Sequence, residues 1–108
     1  MATKVNLVMD QAATFSTTFT VLDVNDIPID FTNYTATSQM RQTYTSLTSY
    51  VFGVTGSNTG QITMTMNAAT TNSISAGRYV YDVEVIDNSS IKSRIVEGII
   101  TVTPQVTR

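Results

Sequence analysis

The stretch from Ala76 to Pro104 constrains this chain more than any other. It reads as a β-hairpin: AGRYVYDVEV, a turn at Asn88-Ser89-Ser90, then IKSRIVEGIITVTP. Alternation places Tyr79, Tyr81, Val83 and Val85 on one face of the first arm and Val80, Asp82, Glu84 and Ile86 on the other, the period of a half-buried strand. The same alternation in the second arm puts Arg94 in line with Val96, Gly98, Ile100 and Val102. Gly77 opens the first strand, and Pro104, which cannot donate to a ladder, closes the second. A two-stranded ribbon is marginal alone, so the remaining residues must cover its Tyr/Val face.

The preceding residues supply further strands. Lys4 to Met9 alternates Val5, Leu7 and Met9 against Lys4, Asn6 and Val8, and Asp10 to Ala13 turns it. Phe15 to Leu22 sets Phe15, Phe19 and Val21 against Ser16, Thr18 and Thr20. Asp23 to Pro28 is a turn, because Asp and Asn side chains bond their own backbone and tolerate left-handed φ/ψ. Pro28 to Tyr34 carries Phe31 into the core. Tyr34 to Arg41 forms a strand with a small inward face. Gln42 to Ser49 is polar enough for a loop. Tyr50 to Val54 is a short strand, and Gly53 to Gly60 reads as a glycine-rich loop tip. No Lys-Ser/Thr and no helix follow those glycines, so a hairpin loop is favoured over a phosphate cradle. Gln61 to Met66 alternates Ile62, Met64 and Met66 inward with Thr63 and Thr65 outward. Asn67 can cap one helical turn that Ile74 pins to the core. These segments predict an all-β chain, an immunoglobulin-like β-sandwich of about seven antiparallel strands forming a single domain over residues 1–108, with a small barrel as the alternative.

Composition narrows the chemistry. The 108 residues contain neither Cys nor His, which removes thiolate chemistry, the commonest general base and the commonest transition-metal ligand. Charged residues are 13% with a net charge of −2, and Thr, Ser, Asn and Gln take their place. A surface of that kind is cheap to desolvate against a partner. Six basic residues occur singly, so no footprint for nucleic acid is expected. MATKVNLVMD has neither a signal-peptide pattern nor a membrane-length apolar run, so synthesis and retention in a cytoplasm are expected. Asp82, Glu84 and Glu97 lie near Arg78, Lys92 and Arg94, which favours ion pairing over acid/base catalysis. Asp23, Asp26 and Asp30 lack the spacing, the Gly and the terminal Glu of an EF-hand. Met40, Met64 and Met66 read as core fillers. An exposed tyrosine, Tyr44 or Tyr50, suits either stacking on a sugar or an interface.

Several runs together resemble a known group. Ala13-Thr14-Phe15, Pro28-Ile29-Asp30-Phe31-Thr32-Asn33-Tyr34-Thr35, Gln39-Met40-Arg41, AGRYVYDVE over 76–84, Arg94 with Glu97-Gly98, and the closing VTPQVTR are similar to small virion structural proteins of tailed bacteriophages, and to the N-terminal domain of phage baseplate upper proteins. AGRYVYD and VTPxVTR are the most specific of these. Where members of the group carry Gly, this chain has Asn33, which is expected to take the left-handed conformation in its place. The resemblance implies an immunoglobulin-like fold and a non-enzymatic structural protein repeated by symmetry in the tail, neck or baseplate. Capsid decoration on the phage head is the alternative within that class, and a carbohydrate-binding adhesion module using exposed tyrosines is the alternative outside it.

The same resemblance implies a place in the virion after synthesis in the host cytoplasm, other virion proteins and copies of this chain as partners, and no cofactor, nucleic acid, membrane or small-molecule substrate. The candidate interface residues are Tyr44, Leu47, Tyr50, Gln105, Val106, Thr107 and Arg108. Pro104 stops the last strand while the residues beyond it continue without a turn signal, so Gln105 to Arg108, together with Met1 to Lys4, are expected to dock outside their own domain by strand addition. The loops at Thr43 to Ser49 and Gly53 to Gly60 are the alternative docking elements.

Overall fold

The computed structural model describes residues 3–106. The chain is all-β apart from one helical turn. Its strands are β1 (Thr3–Lys4), β2 (Leu7–Asp10), β3 (Phe15–Thr20), β4 (Thr35–Arg41), β5 (Tyr50–Gly56), β6 (Gln61–Met66), β7 (Gly77–Ile86) and β8 (Lys92–Thr103), with the helix α1 (Ala68–Asn72) between β6 and β7. The hydrogen-bonded order is β1-β8-β7-β4-β5-β6-β3, and β2 also pairs with β8.

The sheet changes partner within β5. Tyr50, Val51 and Phe52 pair with Met40, Gln39 and Ser38 of β4, whereas Gly53 to Gly56 pair with Thr65 to Ile62 of β6. One arm therefore consists of β1, β2, β8, β7, β4 and the start of β5, and the other of the end of β5, β6 and β3. Their inner faces meet in a single core. Met9, Met40, Val83 and Ile100 from the first arm and Ile62 and Met64 from the second have no exposed surface. Burying such a side chain contributes about 1.5–3 kcal/mol, which is why the alternation of Val, Ile and Met specifies the strands. Ser38 is the polar exception on β4, and its hydroxyl donates to the Asp82 carbonyl.

The two turns with an Asp-x-x-x-Ile pattern are built alike. In Asp23–Ile27 the Asp23 Oδ1 accepts from the N–H of Asn25 and of Ile27, and in Asp87–Ile91 the Asp87 Oδ1 accepts from Ser89 and Ile91. The fourth residue of each, Asp26 or Ser90, has positive φ, 59° and 64°. After β6, Asn67 caps α1 through its Oδ1, which accepts from Thr70 N–H at 2.8 Å. Ile74 is fully buried just beyond.

Four expectations change. Not all the strands are antiparallel: β1 and β2 run parallel to β8, so the N-terminal residues join the last strand and not the next one along the chain. Gly53 and Gly56 lie inside β5, and the loop tip shrinks to residues 57–60; at Gly56 a Cβ would stand 2.6 Å from the Phe31 Cβ, so the glycine admits an aromatic ring onto the strand. Asn33 is not among the described residues with positive φ; the turn there closes through Tyr34 N–H to the Phe31 carbonyl. Arg94 leaves the apolar face, because a bulge between Val83 and Glu84 makes Val83 face Val96 but Glu84 face Arg94. One extra residue on a strand inverts the facing of everything beyond it.

Candidate interaction surfaces

The outer face of the first arm holds every described basic residue. Lys4 is registered with Glu97, Glu97 with Asp82, and Asp82 with Gln39; Arg94 is registered with Glu84 and Glu84 with Thr37. The inverted facing after the bulge brings Arg94 into this row. Its Nε lies 3.2 Å from Asp82 Oδ2 and its Nη1 3.2 Å from Glu97 Oε2, while Lys92 Nζ lies 3.5 Å from Glu84 Oε1. Partial burial, followed by the neighbouring Glu84 carboxylate, raises the pKa of Asp82 above its ordinary value, and Arg94 opposes this. The hydrogen bond to Glu97, followed by the charge of Asp82, raises that of Arg94. The cations and carboxylates of this row thus partly neutralise one another across the sheet. Asp30 is likewise occupied locally: the Thr32 hydroxyl and N–H both donate to it and hold its carboxyl below the usual range. Among the described residues no three or more acidic side chains are grouped so as to hold a metal ion.

A concavity of about 510 Å³ lies on this face, bordered by Gln39, Arg41, Tyr44, Asp82, Glu84 and Arg94. The loop after β4 forms one wall. It is drawn over the sheet because the Arg41 guanidinium donates to the Ser46 carbonyl and to Gln39 Oε1. Tyr44 is 77% exposed at the rim.

Among the described residues, the strand rows on the outer face of the second arm carry no charge. Ser16, Thr18 and Thr20 of β3 lie opposite Thr65, Thr63 and Gln61 of β6, and Thr55 of β5 continues the Thr18–Thr63 row. The Thr18 and Thr63 hydroxyls are 3.1 Å apart. Threonine's branched Cβ fits the pleat, and its hydroxyl satisfies a wet face without charge.

The candidate interface residues fall into three groups. Tyr44 and Leu47 stand on the loop after β4, Leu47 being almost wholly exposed. Tyr50 instead opens β5 half buried, its ring edge-on to Tyr79 with centroids 6.2 Å apart, so it is part of the wall of the core. Gln105 returns to its own chain: its N–H donates to Gln11 Oε1 and its Nε2 to Asn72 Oδ1. Val106 beyond it is exposed. Thr107 and Arg108 lie outside the described residues, as do Met1 and Ala2. Thr3 and Lys4 pair with Val96 and Glu97 of the same chain, where docking outside the domain was expected. The sequence reading missed the uncharged edge at β3, although the long gap between Asp10 and Asp23 signals it.

No family model matches the chain, and no curated protein matches it. Among solved structures it is similar to the internalin-like protein lmo2027 of Listeria monocytogenes, at 15% identity and a TM-score of 0.49, over 94% of this chain and 28% of that one.

Proposed function

We propose that this chain is a non-enzymatic structural module of a tailed-phage particle, repeated by symmetry and joined to its neighbours through uncharged sheet surface. The observation that carries the assembly half of this reading is the division of charge between the outer strand faces of the two arms. The described cations and their carboxylate partners occupy one outer face, leaving the other, with its Thr and Ser rows, free of any charge that would have to be desolvated on contact. Symmetry repeats such a contact, so a weak one suffices. The phage half rests on the resemblance of the AGRYVYD and VTPxVTR runs. The finer fold within this reading is an immunoglobulin-like sandwich. It is supported by the partner change within β5, by the antiparallel β4-β7-β8 and β3-β6 ladders, and by the parallel pairing of β2 with the last strand. Quantitative mass spectrometry of purified particles tests the function: the reading expects many copies per particle, retained after extensive washing, and a chain absent from particles overturns it. Enrichment in isolated heads would move the module from tail to capsid decoration.

A second reading, a carbohydrate-binding module, is favoured by one observation, the concavity that sets an exposed tyrosine beside carboxylate, amide and guanidinium groups. An aromatic face with converging hydrogen-bonding groups suits a sugar ring. Retention on host cell-wall polysaccharide that Tyr44→Ala abolishes would select this reading, and equal retention of both forms would exclude it.

A further inference from the structure

We propose that the free edge of β3 pairs antiparallel with the β3 of a second copy of this chain, about a two-fold axis at Thr18. The inference goes beyond the virion reading and stands independently of it, since it concerns the chain in solution.

Among the described residues β3 ends the hydrogen-bonded order and pairs with β6 alone. Val21 N–H donates to the Gly60 carbonyl on the β6 side, and Phe19 is registered with Ile62. In an antiparallel ladder successive residues aim their N–H and C=O groups to opposite sides, so those of Ser16, Thr18 and Thr20 point to the open edge. The segment after the turn, through Ile29, follows Val21 on the β6 side and does not cover it: Ile29 N–H donates to the Val21 carbonyl, the same side as the Gly60 bond. Edge strands are ordinarily protected from strand addition by charge, proline, a bulge or shortness. From Gln11 to Leu22 there is no charged residue and no proline. The register of β3 on β6 runs over six residues without interruption.

The inner layer is also unfinished along this edge. Ile62 and Met64 of β6 are fully buried, yet their partners Phe19 and Thr17 on β3 are only half buried, as is Val21. Just past the strand, Leu22 is 46% and Ile27 57% exposed. A two-fold at Thr18 sets Thr18 opposite its own copy and Ser16 opposite the partner's Thr20, each pair exchanging two backbone hydrogen bonds. On the inner side it sets Phe19 beside the partner's Thr17 and Val21 beside the partner's Phe15, covering the half-buried side chains. With no charged side chain between Gln11 and Leu22, no like charges face each other across the axis. A single strand pair is smaller than a standard interface of about 1,200–2,000 Å², so the dimer is weak and rapidly exchanging.

Sedimentation equilibrium and hydrogen exchange on the 108-residue chain test this. The expected result is a reversible monomer–dimer equilibrium at submillimolar concentration, with protection of the Ser16, Thr18 and Thr20 amides rising with concentration. Thr18→Pro removes the outward N–H and not a β6 bond, and Thr18→Lys opposes two like charges at the axis; each weakens association by about tenfold or more. Thr65→Lys, on the same face but inside the sheet, leaves it intact. A chain that stays monomeric throughout overturns the proposal. So does a dimer that both Thr18 variants preserve, or one whose concentration-dependent protection lies on β2 or the loop after β4 while the β3 amides remain open.

Discussion

The Tyr81 hydroxyl donates to the Val5 carbonyl at 2.7 Å, joining two residues 76 positions apart in the chain. Val5 sits between β1 and β2, and its N–H donates to the Glu97 carbonyl at 2.9 Å. The core tyrosine of β7 therefore reaches beneath β8 to hold the N-terminal strand on its parallel partner. Gly98 makes room for this: a Cβ there would stand 2.0 Å from the Val5 carbonyl oxygen and 3.2 Å from the Tyr81 ring. The Glu97-Gly98 pair quoted in the phage resemblance thus has a physical task, one residue pairing with Arg94 and the other admitting the strand.

Tyr81→Phe is expected to destabilise the chain by about 1–2 kcal/mol in urea unfolding, the cost of leaving a partly buried carbonyl without its donor. Burial pushes the Tyr81 phenol up to about 12 from 10.0. An acid whose folded pKa is raised contributes stability that is present below the unfolded value and lost as pH rises through the folded one. Wild-type stability should therefore decline between pH 10 and 12, and Tyr81→Phe should flatten that decline. The melting temperature across that range is the measurement.

Gly98→Ala should cost roughly 1–3 kcal/mol or more by overpacking. Its signature is spatial: amides of residues 5–10 lose hydrogen-exchange protection while those of β6 keep theirs. Uniform loss across the chain would mean that the N-terminal strand is not the element displaced.

Val83→Asp places a charge where a fully buried side chain packs among Met, Ile and Val. An unpaired buried charge costs several kcal/mol against a total stability of about 5–15, so circular dichroism should show an unfolded or strongly destabilised chain.

Asp82→Asn reads the charged row. The raised Asp82 pKa means that its ionisation opposes folding as pH rises from the ordinary carboxyl value of 3.8 upward. Removing that charge should make the variant relatively more stable at neutral pH than at pH 3, whatever the constant cost of the lost contact to Arg94. Arg94→Met should do the reverse, lowering neutral-pH stability modestly and in a salt-dependent way, because the three carboxylates around it lose their shared cation.

Much of the fold is legible in local pattern. The 77–103 hairpin, the inward Ile62-Met64-Met66 row, the Asn67 cap and the Ile74 anchor all follow from spacings of a few residues. The bulge that turns Arg94 outward is not legible, since one inserted residue changes facing without changing composition. Nor is the parallel pairing of β2 with β8, which joins residues more than 90 positions apart. The buried Thr71, whose hydroxyl donates to the Ala13 carbonyl, looks in sequence like any solvent-facing threonine. The candidate interface was legible only where exposure follows from loop polarity, as at Tyr44 and Leu47. The tether of Gln105 to Gln11 and Asn72 needs the tertiary fold to appear.

The central claim is that this chain is a repeated structural subunit whose uncharged sheet surface meets its neighbours. Cryo-electron microscopy of purified phage particles at side-chain resolution tests it most directly. The account predicts the Tyr81–Val5 fold at symmetry-related positions on the particle, with the Thr rows of β3 and β6, or the β3 edge, against another protein. Particles without the chain, or copies whose second-arm face is wholly solvated while the charged row makes the contacts, would contradict it.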